Sequence, residues 1–300
     1  RELVARAAAE NLHPPASFRS YTSKIETELS FLIRDTLGRE HTAQTEQFAA
    51  TAAWTREGRY DLHIVGYRSQ SVGVPYSAVS IVRGWTVPSL YGNRLSLGAY
   101  FSSAKGTGDT LVAVHPFAAD RDRYYRFTGG DTVTVLHVGT RSIPIARIHA
   151  HPSFSGPTRL GAFDGEIDID AERGQIVRMR GQFVTLGGQP SSVTKRILRA
   201  ASGVVGVAYA EFVNAEVDDT YWLPAFQRTE FQAAFALFGQ QRPIFRVISN
   251  IRDIAVTNRA VPIQGASSTS DSMPVPRILV SWATSDSLSH FDAWQRGLGA

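Results

Sequence analysis

The stretch FDGEIDIDAERGQIVRMRGQF, residues 163–183, decides how the chain is read. Asp164, Glu166, Asp168 and Asp170 recur at every second position with Ile167 and Ile169 between them, the two-residue period of a strand with unlike faces. Gly174 can adopt the left-handed backbone that closes a three-residue loop, so Glu172-Arg173-Gly174 predicts a hairpin that pairs Ala171 with Gln175. Counting outward, Asp168 then faces Arg178, Glu166 faces Arg180 and Asp164 faces Gln182. On the other face Ile169 meets Val177, Ile167 meets Met179 and Phe163 meets Phe183, with Gly165 against Gly181. Charge and hydrophobicity agree on one register. Four carboxylates on one strand could hold Ca²⁺ or supply an acid/base pair. Opposite-charge cross-strand pairs contribute only ~0.2–1 kcal/mol each, yet they neutralise the carboxylates a metal would need free. The segment therefore reads as the solvated face of a hairpin.

The same period spreads in both directions. From Tyr21 to Arg34, Ile25, Thr27, Leu29, Phe31 and Ile33 alternate with polar residues, predicting a long strand. Further strands are expected near 43–56, 60–69, 77–83, 110–115, 132–138, 143–150, 162–170, 175–184, 202–213, 221–229, 244–257 and 276–283. Turn signals separate them at Arg56-Glu57-Gly58, Thr128-Gly129-Gly130-Asp131, Gly139-Thr140 and Gly187-Gly188. Short polar connections imply a mainly antiparallel sheet, because parallel neighbours need long crossovers. A helix is expected over residues 2–12, stopped by Pro14-Pro15, and another over 285–298, where Leu288, Phe291 and Trp294 recur at three to four residues. Residues 84–109 show no clear period, 185–201 fit a loop, a strand or a short helix, and 265–272 is a polar tip. The fold class is therefore mainly β: a large antiparallel sheet curled into an unclosed half-barrel, with a few short helices including one at each end. Residues 1–284 form a single β-domain with an N-terminal helix, and 285–300 a helical connector.

Composition narrows the function classes. The chain has 300 residues, 43% hydrophobic and 19% charged, which suits a folded core rather than a disordered tail. Its net charge of +4 comes from 28 Arg and 3 Lys dispersed along the sequence, so no basic arm for nucleic acid is present. The absence of Cys excludes disulfide scaffolds and thiolate chemistry. No run reaches the ~18 apolar residues of a membrane helix, so no transmembrane segment is expected.

Candidate chemistry is sparse. His149 and His151, in RIHAHP, project the same way from a strand, a spacing that strand-borne zinc ligands use, but a third ligand must come from elsewhere, with His115, His137 and the acidic strand as the available sources. The other reading is polar decoration of a strand end before Pro152. No G-x-S-x-G elbow occurs, and Gly106-Thr107-Gly108 lacks the features of a phosphate loop. DRDRYYRF (120–127) interleaves Arg and Tyr, but Asp120 and Asp122 dilute it, so it reads as a solvated turn entering an aromatic strand. Trp54, Trp85, Trp222, Trp282 and Trp294 are dispersed and read as core or rim residues. No catalytic, cofactor-binding or metal residue is assigned, and no cofactor is expected.

The succession HPFAADRDRYYRFTGGDTV (115–133), RSIPIARIHAHPS (141–153), FDGEIDIDAERGQIVRMRG (163–181) and DDTYWLPAFQRTEFQ (218–232) resembles the periplasmic segment of uncharacterised bacterial outer-membrane β-barrel proteins, often found after a carboxypeptidase-regulatory-like domain. The D-G-E-I-D-I-D rhythm and the later Y-W-L-P are also similar to the lipoprotein carriers LolA and LolB, whose half-barrel accepts acyl chains. The resemblance implies a non-enzymatic envelope domain in the periplasm or at the inner face of the outer membrane, binding a lipid, an acyl chain or an outer-membrane partner protein. It also implies that the chain's ends are cut ends of a larger protein whose barrel domain is missing. The alternatives are a metal-assisted hydrolase using His149 and His151, and a purely structural interaction module.

Overall fold

The computed structural model describes residues 1–72, 86–99, 110–153, 161–185, 204–233, 242–258 and 277–299. Helix α1 (Glu2–Leu12) is followed by β1 (Ser20–Arg34), β2 (Glu40–Thr55), β3 (Arg59–Ser71), β4 (Arg94–Ala99), β5 (Thr110–Val114), β6 (Tyr125–Val138) and β7 (Arg141–Pro152). Then come β8 (Gly161–Asp170), β9 (Ile176–Thr185), β10 (Val204–Val217), β11 (Tyr221–Ala233), β12 (Arg242–Thr257), β13 (Arg277–Trp282) and the short helix α2 (Ser285–Ser289). The protein is mainly β with a helix at each end. Strand β4 falls inside the aperiodic 84–109 region, whereas the strand expected at 77–83, Gly106-Thr107-Gly108, Gly187-Gly188, 265–272 and most of 185–201 lie outside the described residues.

The thirteen strands of the described residues form one sheet in the order β13-β3-β2-β1-β12-β11-β10-β9-β8, and β8 then shares its remaining edge. Its residues Gly165–Asp170 pair β7 antiparallel, while Gly161 and Ala162 pair β5, which in turn pairs β4; β6 lies beyond β7. Among the described residues the sheet does not close into a barrel. It is mixed rather than wholly antiparallel: β13 runs parallel to β3 and β5 parallel to β8. β13 lies beyond β1–β3 from β12, so it pairs with β3 and not with the strand that precedes it in sequence.

Alternation along each strand sorts the side chains onto two faces. Tyr21, Ile25 and Leu29 of β1 are buried in the core, while Lys24, Glu26 and Glu28 point the other way. Two apolar clusters occupy the first face. One gathers Phe18, Tyr21, Trp54, Tyr60, Tyr91 and Tyr221, with Phe18 stacked on Trp54 at 4.9 Å between ring centroids. The other joins α1 through Ala7 and Ala8 to Ile148, Ile167, Ile176, Met179 and Phe212. Trp54 and Trp222 are core residues, while Trp282 is partly exposed at the sheet edge.

Two features of the sequence carry a different local structure from the expected one. Thr128-Gly129-Gly130-Asp131 is not a turn: Gly129 (φ 82°) and Gly130 (φ 120°) form a bulge within β6, so the chain stays in the sheet from Tyr125 onward. The helix expected over 285–298 stops at Ser289. Residues 291–299 instead lie across the polar face of β1–β3. Phe291 sits over Gly66, where a Cβ would come within 2.5 Å of its ring, and Arg68 stacks on Trp294 at 4.3 Å. Glu26 accepts from the Gln295 amide at 3.0 Å, and Glu28 from that of Gly299 at 3.1 Å.

Candidate functional site

The β8–β9 hairpin forms in the expected register from Asp164–Gln182 to Asp168–Arg178, and then slips by one residue. Ile169 pairs with Ile176 rather than Val177, and the loop is closed by Gly174 N–H and Asp170 N–H at 2.8 and 3.0 Å to Asp170 and Gln175 carbonyls. The slip sends Ile176 into the main core and turns Val177 to the opposite face, where it joins Ile143, Ile145 and Trp222 in a small cluster. That second contact surface rewards the bulge.

The expectation of a solvated acidic strand is corrected in its second half. Asp168 and Asp170 are buried. Arg147 of β7, on the other side of β8 from Arg178, makes the bidentate pair with Asp168 at 2.6 and 3.0 Å. Arg178 turns instead to Glu211 of β10. Asp170 is enclosed by Trp222 Nε1–H at 3.1 Å and the Glu172 and Arg173 amides at 3.0 and 2.9 Å.

These contacts belong to a ladder that crosses the polar face, with carboxylate-bearing and arginine-bearing strands interleaved. Arg147 and Arg180 flank Glu166, Arg178 meets Glu211, Arg228 and Arg246 share Glu230, Arg246 continues to Glu40, and Arg252 reaches Glu26. The hydrogen bond from Arg180 lowers the Glu166 pKa. Burial pushes Glu230 up, but its bonds to Arg228 and Arg246 outweigh this and leave it lowered. At the hairpin end, Glu216 is likewise raised by burial and lowered further by Arg141 and Arg173. A carboxylate held ionised between guanidiniums is a poor proton donor and a poor metal ligand.

His149 and His151 do project together, their rings parallel with centroids 6.0 Å apart. His151 Nδ1 lies 3.3 Å from Asp164, and His149 Nε2 lies 4.0 Å from Glu166, which is already engaged by Arg180. Among the described residues no group of three or more His, Asp or Glu is placed to hold a metal ion. The other proposed sources of a third ligand are far from this pair in role: His115 is buried in the core, its Nδ1 accepting the Phe117 amide at 2.9 Å, and His137 bonds Ser142 at 3.1 Å. DRDRYYRF is a 3-10 turn at Arg121–Arg123 leading into β6, with Asp120 paired to Arg94 and Tyr125 donating to the Val114 carbonyl at 2.5 Å.

The apolar face is organised differently. Its covers are clipped to the sheet by side-chain amides that imitate strand backbone, a pattern that sequence periodicity does not reveal. Asn11 of α1 donates to the Gly174 carbonyl at 2.8 Å and accepts from the Ile176 amide at 3.1 Å. Gln227 of β11 binds both the amide and the carbonyl of Val87, fastening the 86–93 segment over the sheet, and Tyr21 donates its hydroxyl to the Pro88 carbonyl. Polar pairs interrupt the apolar surface between them: Thr27 with Ser249 at 2.8 Å, and Gln44 with Glu46 at 2.5 Å. On the polar face, beside the C-terminal segment, a cavity of about 380 Å³ is lined by Glu28, Ser30, Thr45, Gln70 and Arg246 among others.

Fold and surface chemistry together define an open-sheet β-protein with one apolar, partly covered face and one ion-paired face. No protein-family model matches the chain, and no curated protein matches it. Among solved structures, an acetoacetate decarboxylase-like enzyme from Sphingomonas wittichii RW1 aligns with 80% of this chain and 93% of its own at 9% identity and a TM-score of 0.10, a likeness that carries neither fold nor function. No helix among the described residues is long and apolar enough to cross a membrane.

Proposed function

We propose that the chain is a non-enzymatic domain of the bacterial cell envelope whose apolar sheet face takes a lipid or acyl chain at the periplasmic side of the outer membrane. The observation that carries this reading is the division of one open sheet into two unlike faces, with the apolar one covered by α1 and residues 86–93 through a few amide clips. The cover is fastened by Asn11 and Gln227 and packs Ala7, Ala8, Val87 and Leu90 into the core, and none of these contacts belongs to the strand-to-strand ladder beneath it. The envelope placement rests on the resemblance of the four quoted segments.

Titration with a fluorescent C18 polyene fatty acid, followed by energy transfer from the buried tryptophans, tests the proposal. One saturable site is expected, with affinity altered in Gln227→Ala, whose cover is loosened, and phospholipid or fatty acid retained in native mass spectra. Absence of both saturable binding and retained lipid overturns the lipid reading. Recovery of an outer-membrane protein in place of lipid assigns the domain to partner binding instead.

A further inference from the structure

We propose that β6 is a dimerisation edge, through which two copies of this chain pair antiparallel about a two-fold axis centred on Leu136. β6 hydrogen-bonds to β7 alone, leaving its outer edge open among the described residues. Natural edge strands are usually guarded by lysine, proline or a bulge. The first half of β6 has such guards in the bulges at Gly129–Gly130 and at Val133, where the register to β7 shifts. The second half has none. Thr134 to Val138 pairs regularly with β7, contains no proline and no lysine, arginine or carboxylate, and is exposed except at Leu136. Val135 is 43% exposed and Val138 37%, while Leu136 forms the open rim of the cluster made by Ile143, Ile145, Val177 and Trp222.

A second copy fits this edge for reasons internal to the segment. Antiparallel pairing centred on Leu136 sets Leu136 against Leu136 of the second copy, Thr134 against its Val138 and Val135 against its His137. Thr134, Leu136 and Val138 share a strand face, so this register joins the two rim clusters into one across the axis. No Lys, Arg, Asp or Glu lies in either segment to oppose the approach. The contact spans about 17 Å of strand at ~3.4 Å per residue, which is short for a stable dimer. The association is accordingly weak and concentration-dependent.

Sedimentation velocity over a dilution series of the full chain tests this. The wild type is expected to shift from monomer to dimer as concentration rises. Thr134→Lys with Val138→Lys places lysine against lysine twice across the axis and weakens association by roughly tenfold or more. Thr134→Lys with Val138→Glu places lysine against glutamate in this register only, and restores the dimer. Circular dichroism and thermal midpoints of the variants establish that each is folded. A wild type that stays monomeric throughout, or a double-lysine variant that associates like the wild type, overturns the proposal; failure of the Lys/Glu variant to recover overturns the register.

Discussion

Gly165 and Gly181 face each other across β8 and β9 so closely that a Cβ on Gly165 would come within 2.6 Å of the Gly181 Cα, while the Phe163 ring lies 2.9 Å from the same position. The aromatic ring fills the space a side chain would take. Alanine at either position must push apart two backbones inside a sheet, where overpacking costs typically ~1–3 kcal/mol. Gly181→Ala is expected to lower the urea midpoint by that order, with Gly38→Ala as a contrasting case in which steric contact is absent and only the positive φ of 81° is strained.

The Gly165–Gly181 pair was legible in the sequence, and so was most of the hairpin, because paired residues of opposite charge and matching apolar size specify a register locally. What followed from distant elements was not. The slip that sends Val177 outward depends on Trp222 and Ile145 waiting on the far face. The partner of Asp168 is Arg147 rather than Arg178 because β7 flanks β8, a neighbour that the hairpin pattern does not specify. Pairing of β1 with β12, more than two hundred residues away, leaves no local signature at all. At the C-terminus, the spacing of Leu288, Phe291 and Trp294 suits a helix, but Gly66 offers Phe291 a seat on the sheet, and the aromatic residues pack edge to face with each other at 4.9 Å instead.

Asp170 is surrounded by donors, with one oxygen taking the Glu172 and Arg173 amides and the other the Trp222 indole. Asp170→Asn keeps an acceptor for the amides but turns an NH₂ toward the indole N–H. A buried donor left unmatched costs ~1–3 kcal/mol. The variant is expected to be destabilised by that order and to alter the tryptophan emission of the folded state, as measured by urea titration followed through fluorescence. A midpoint equal to the wild type's would show that Asp170 does not fasten the hairpin loop to β11.

Gly66 seats the C-terminal segment, since its missing side chain admits the Phe291 ring. Gly66→Val should displace residues 291–299 while leaving the sheet intact. The amides of Gln295 and Gly299, now held by Glu26 and Glu28, are then expected to lose hydrogen-exchange protection. Amides in β10 and β11, far from the seat, should exchange as before. Unchanged protection at Gln295 would mean that Glu26 and the Arg68–Trp294 contact hold the segment without Phe291.

His115 links the stability of the fold to pH. It is fully buried, and burial lowers its pKa to about 4, against a partial opposing pull from the Leu90 carbonyl. Its Nδ1 accepts the Phe117 amide, so the neutral ring carries its proton on Nε2. Between the unfolded value of ~6.5 and the folded value, the unfolded chain binds a proton that the native chain refuses, so stability declines as pH falls through that window. A depression of this size corresponds to about 3 kcal/mol. Glu166, Glu216 and Glu230 act in the same direction lower down: their folded pKa values lie below the unfolded ones, so their contribution is present above the unfolded carboxylate range and is lost as pH falls through the folded values. His115→Asn keeps an acceptor for the Phe117 amide and removes the titration. Its urea midpoint is expected to stay nearly level from pH 6.5 down to the carboxylate range, where wild type and variant should then fall together; a variant that loses stability across the upper window as the wild type does would assign that loss to other groups.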